Sequence, residues 1–182
     1  MAAGKLLPAQ WKYNIYGAPA ASPMTFGEAA SQSYCKGDLV YLVNGLVTVW
    51  ANSATTQIAG YALQDATGVT SASQQILPIR LGDVFEMSMQ TSDAVTVANL
   101  GVPSYGLAQT TGTAGSASAI WSIDNDTAYL RVTIIRLLWE KIPDNTTGEL
   151  MTPVLTDTAT RVEAMFCGHI DAATPLLQLA GL

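Results

Sequence analysis

His169 is the single histidine of the chain, and it stands in CGHIDAA between Cys167 and Asp171. A thiol, an imidazole and a carboxylate are the group types from which nucleophilic sites are assembled. Their spacing tells against that use. On a strand, residues two apart project in parallel from one face, so the three groups would not converge on a substrate atom. A partly exposed histidine near a turn is the simpler reading. DNDT, residues 124–127, resembles the start of a calcium loop but lacks the glycine and glutamate that such a loop needs at its sixth and twelfth positions. A polar strand connector accounts for it. Asn125 and Asn145 each head an Asn-x-Thr sequon, which has consequences only behind a secretory signal. MAAGKLLPAQWKYNIYG has no sustained apolar core and does not read as one. No GxGxxG, P-loop, HExxH or GxSxG motif is present. Asp38, Asp65, Asp83, Glu86 and Asp93 fall mostly at expected strand ends, where solvated turn roles explain them, and nothing selects a glycosidase pair among them. Cys35 and Cys167 lack CxxC or Cys/His ligand spacing and read as reduced structural thiols of a cytoplasmically made protein. The expectation is a non-enzyme with no catalytic, cofactor-binding or metal-binding residues.

Composition points to binding by surface. Of 182 residues, 49% are apolar and only 12% charged, about half the usual charged share. A free monomer normally keeps a charged coat, so such a surface suits a protein packed against others. The net charge is −6 with eight Lys and Arg unclustered, which makes nucleic acid a poor partner, because phosphate neutralisation needs a basic patch. No apolar run approaches the roughly 18 residues that span a bilayer.

The elements that would position an interface are short strands. CKGDLVYLVNGLVTVW, residues 35–50, reads as a hairpin through Asn44-Gly45, a pair suited to a type I′ turn. That register puts Val43 opposite Leu46, Tyr41 opposite Thr48 and Leu39 opposite Trp50 on one face. Val40, Leu42, Val47 and Val49 form an all-aliphatic second face, read as core. The first face, with Tyr41 and Trp50, reads as covered by an arm or a neighbouring subunit. Further strands are expected at about 57–64, 76–80, 83–90, 104–109, 118–123 and 128–138, with 94–100 ambiguous. In 83–90, Phe85, Met87 and Met89 alternate with Glu86, Ser88 and Gln90, inward and outward respectively. Strands at this spacing without an amphipathic helix imply an all-β fold, a small antiparallel β-barrel or sandwich. Residues 1–34 read as an extended N-terminal arm anchored by Trp11, Tyr13, Tyr16 and Phe26. Residues 35–141 read as the β core, and 142–182 as a C-terminal extension in which ATRVEAMFCG could form edge strands.

The order of elements resembles the head decoration, or cement, proteins of tailed bacteriophages. KGDLVYLVNGLVTVW, IAGYALQDATG, ILPIRLGDVFEMSM, VANLGVPSYGL and YLRVTIIRLL carry the resemblance across about residues 35–138. It rests on Lys36-Gly37-Asp38, Gly60-Tyr61-Ala62, Gly82-Asp83-Val84-Phe85 and Tyr105-Gly106-Leu107. The resemblance implies a small all-β virion protein on the outer capsid surface, most often a homotrimer and in some phages a dimer. Its partner would be the major capsid protein, whose neighbouring subunits it would bridge and stabilise. The alternative expectation is a glycan- or receptor-binding module of a virion fibre or spike, using Trp50, Trp121 or Tyr105 as exposed stacking platforms.

Overall fold

The computed structural model of the protein describes residues 9–51, 57–89, 100–101, 103–110, 119–124, 130–138, 142–143, 147, 149–151 and 161–170. These form thirteen strands: β1 (Gln10–Asn14), β2 (Met24–Glu28), β3 (Leu39–Val43), β4 (Leu46–Val49), β5 (Gly60–Ala62), β6 (Ser73–Pro78), β7 (Asp83–Met89), β8 (Pro103–Thr110), β9 (Ile120–Asp124), β10 (Leu130–Leu137), β11 (Ile142–Pro143), β12 (Leu150–Met151) and β13 (Arg161–Ile170). The fold is all-β, as expected, and no helix occurs among the described residues. The chain divides into two units. The first comprises Met1–Ala18, Leu81–Ala108 and Trp121–Leu182, the second Pro19–Arg80 and Gln109–Ile120.

The second unit holds a closed five-stranded barrel in the order β2-β4-β3-β5-β6, with β6 returning to β2. Its hairpin has the register read from the sequence: Val40 opposite Val49, Tyr41 opposite Thr48, Leu42 opposite Val47 and Val43 opposite Leu46. Asn44 and Gly45 both take positive φ, 49° and 79°, as a two-residue turn matched to strand twist requires. The aliphatic face lies in the core. Val40 and Val47 pack there with Tyr34, Ala62 and Ile76, and Leu42, Val49, Met24 and Phe26 close around them. Backbones come close where β5 pairs with β6. A Cβ at Gly60 would sit 2.2 Å from the Leu77 carbonyl oxygen, so only glycine fits there.

In the first unit, β7-β13-β10-β8-β9 forms a ring closed by β7–β9 pairing, and β1 adds to the outer edge of β7. Phe85 anchors its interior, 5.6 Å from the Trp121 ring centroid and 5.4 Å from that of Phe166, edge-on to the latter. Met87, Met89, Val132, Ile134, Val162 and Ala164 complete that buried core. The β2–β4 and β7–β9 pairs run parallel, whereas β1–β7, β7–β13, β13–β10 and β10–β8 in the first unit are antiparallel.

Three expectations about organisation are corrected. Residues 1–34 do not form one arm, because β1 pairs with β7 in the first unit and β2 is a barrel member in the second. The 35–141 core is split between the two units. In the 142–182 stretch, β13 is no edge strand; it lies between β7 and β10, paired on both sides. The reason is common to all three: the partners lie far away in sequence, and a local pattern carries no record of distant pairing. The expected outward pointing of Glu86 and Ser88 on β7 is also corrected, since both are buried along with Phe85 and Met87; Gln90 lies outside the described residues.

Candidate interaction surface

β1 is short and polar, and its side chains reach carboxylates on neighbouring strands. Trp11 Nε1 donates to Asp83 Oδ1 at 3.3 Å, and Asn14 Nδ2 donates to the same oxygen at 2.9 Å. Lys12 Nζ pairs with Glu86 Oε2 at 2.5 Å, and Tyr13 Oη donates to Glu163 Oε2 at 3.3 Å. Behind this strand, Arg161 holds Glu86 Oε1 through Nε and Nη2 at 3.0 and 2.7 Å, and Arg136 Nη2 holds Glu163 Oε1 at 2.6 Å. Burial raises the Glu86 carboxyl, but hydrogen bonds and charge from Lys12 and Arg161 outweigh it and hold it below its ordinary range. The Tyr13 phenol is pushed up, first by burial and then by the Glu163 charge.

Glu86 and Glu163 lie directly opposite on β7 and β13, a juxtaposition with the look of an acid pair. Each carboxylate is committed to a guanidinium, and Glu86, held below its ordinary range, lacks the raised affinity for a proton that a general acid needs. The pair is structural. Asp38 and Asp83 are likewise buried and not solvated turn residues. Asp38 Oδ2 accepts from Cys35 N at 2.7 Å and Asp83 anchors β1, while the Asp65 carboxylate accepts from Lys36 N at 2.8 Å. Buried carboxylates at strand entries thus tie turns together. Asp93 lies outside the described residues, as do Asp171, Asn125 and Asn145, and the side chains of Cys167 and His169. Among the described residues no group of His, Cys, Asp and Glu could hold a metal ion.

Following β1, the chain turns over Gly82. Ile15 N donates to Gly82 O at 2.9 Å, and Asn14 closes the turn through Tyr16 N on its Oδ1 and Gly17 N on its O. Gly82 has φ of +81°, and a Cβ there would lie 2.7 Å from the Tyr16 ring and 2.9 Å from Ile15 Cγ1. The turn therefore fixes an apolar cluster that faces outward: Tyr16 is 71% exposed, Ile15 44%, Leu81 42% and Tyr13 41%. A rigidly held apolar cluster beside a charged ladder has the composition of a protein contact surface. In the second unit Val69, also exposed, sits on a loop tied down by Glu28.

Of the six interface residues expected from sequence, Tyr13 and Tyr16 share this surface, and Trp11 lies half-buried beneath it on β1. Phe26 packs against the second unit's core, and Tyr41 is half-buried on β3. Trp50, expected on a face covered by an arm or a neighbouring subunit, is 2% exposed and is already covered within the chain. Its end of the hairpin is bridged by Gln109, whose Oε1 accepts from Leu39 N at 2.5 Å while its Nε2 donates to Trp50 O at 3.5 Å. Ile15 and Leu81 were not legible beforehand. The signal that could have found them is an apolar pair flanking a glycine that needs positive φ. No family model matches the chain, and no curated protein or solved structure matches it either.

Proposed function

We propose that this chain is a non-enzymatic structural protein of a tailed bacteriophage, placed on the outside of the icosahedral head, where it bridges neighbouring major capsid subunits. The observation that carries this reading is the rigid apolar cluster of Tyr13, Ile15, Tyr16 and Leu81, displayed by a unit whose buried acidic groups are committed to structure. Repeated by icosahedral symmetry, a modest contact of this kind gains avidity. An acidic chain of net charge −6 fits an outer surface better than one lined by DNA. The low charged share is in keeping with a life spent against other subunits.

The test mixes the purified chain with expanded empty heads of the phage that encodes it. Association and a raised disruption temperature are expected. A double variant, Ile15→Ser with Tyr16→Ala, should lose association while keeping the chain's own melting temperature within a few degrees, since both side chains are largely exposed. Absence of binding by the unaltered chain, with head stability unchanged, sinks the reading. The glycan-binding alternative loses its stacking platforms, because Trp50, Trp121 and Tyr105 are all buried.

A further inference from the structure

We propose that β1 is an exchangeable strand, and that the slot it fills on β7 accepts β1 from a second copy of this chain. The ring β7-β13-β10-β8-β9 closes without β1. One edge of β7 is occupied by β13 from Val84 to Ser88. Along its other edge two strands share the length, β1 opposite residues 83–86 and β9 opposite Ser88 and Met89. β1 therefore completes an edge where β9 stops, and without it the backbone groups at 83–86 would be open to pairing.

The side-chain contacts make that slot selective. It presents the carboxylates of Asp83, Glu86 and Glu163, and β1 brings the indole N–H, amide, ammonium and phenol that answer them. Any copy's β1 meets these requirements equally, so exchange replaces each contact with an identical one, the low-cost route to self-association. Anchoring is mostly polar: Gln10, Lys12 and Tyr13 are exposed, and Asn14 is buried by its bond to Asp83. Trp11 is the one half-buried apolar side chain on the strand. The connector 18–23, Ala-Pro-Ala-Ala-Ser-Pro, has no strand or turn and is exposed at Pro19, Ala20, Ser22 and Pro23. Extended, six residues reach roughly 20 Å, enough to carry β1 to an adjoining copy.

The exchange is independent of the capsid reading, and its test contains no capsid. Tyr13 and Val84 are cross-strand partners. In a Cys35→Ser, Cys167→Ser background, one preparation carries Tyr13→Cys and another Val84→Cys. Mixed at high concentration and oxidised, the two are expected to form a disulfide-linked heterodimer on a non-reducing gel. A second measurement avoids substitutions in β7: a fluorescent peptide PAQWKYNIYG is incubated with the unaltered full chain and its uptake compared with that of a scrambled peptide. Lys12→Ala in the chain should raise uptake roughly twofold to fivefold, the size expected for one partly exposed ion pair. Heterodimer, or peptide uptake above the scrambled control, supports exchange. Disulfide formed only when both cysteines are on one chain, with no peptide uptake, overturns it.

Discussion

The Glu28 carboxylate is withdrawn from solvent at the end of β2 and accepts four hydrogen bonds: from Thr67 N and Oγ1 at 2.8 Å each, Gly68 N at 2.6 Å and Gln74 Nε2 at 2.6 Å. Burial alone would raise its affinity for protons, but those donors outweigh burial and hold the carboxyl below its ordinary value. A depressed folded-state value means the stabilisation is fully present above the unfolded-chain value near 4.5 and is lost as pH falls through the folded one. Glu28→Gln, which turns an NH2 toward donors, is expected to cost about 2–3 kcal/mol at pH 7 in urea unfolding. The gap to the unaltered chain should narrow as pH drops below the carboxylate range. A gap that is constant with pH would mean the charge contributes nothing. Tyr34 is the opposite case. Its hydroxyl is buried with no hydrogen-bond partner among the described residues, and burial, then Glu28, push it up. Tyr34→Phe should raise stability by about 1 kcal/mol, since an unpaired buried hydroxyl is a cost; a loss of that size would show that the hydroxyl is bonded.

At the scale of elements, the hairpin and the β5–β6 pair make different demands on glycine. Gly45 needs only its positive φ, with open space where a Cβ would be, whereas Gly60 faces the Leu77 backbone. Gly45→Ala should cost about 1 kcal/mol. Gly60→Ala should cost more than about 3 kcal/mol, because the clash is with main chain that cannot rotate away. Equal melting points for the two variants would refute the close approach. The hairpin was legible in full, register included, because its partners are adjacent and Asn-Gly selects one turn. β13 was legible as a strand from ATRVEAMFCG but not as an interior one. Its Arg161 and Glu163 suggest an edge, yet both are buried, satisfied by Glu86 on β7 and by Arg136 on β10 and Tyr13 on β1. Charge in a strand reads as exposure until its partner is known.

For the whole molecule, two closed rings are drawn from interleaved stretches of one chain, the first unit taking three segments and the second two. The Gln109–Ile120 stretch leaves the first unit's run of sequence to join the second, and within it Gln109 caps the hairpin that residues 35–50 begin. The capsid-association experiment and the strand-exchange experiment both belong to this scale, one asking what the outward cluster meets and the other where β1 resides. The sequence by itself determined the all-β class, the hairpin register and the aliphatic face that becomes core. Each depends on alternation, turn chemistry or composition, which act over a few residues. Tertiary structure alone decided which strands close which ring, that Trp50 is interior while Tyr16 is displayed, and that acidic residues at strand entries are buried anchors. Those outcomes depend on contacts between residues some 70 to 150 positions apart, as between Asn14 and Asp83 or Tyr13 and Glu163, and burial is a property of such contacts and not of the residue type that makes them.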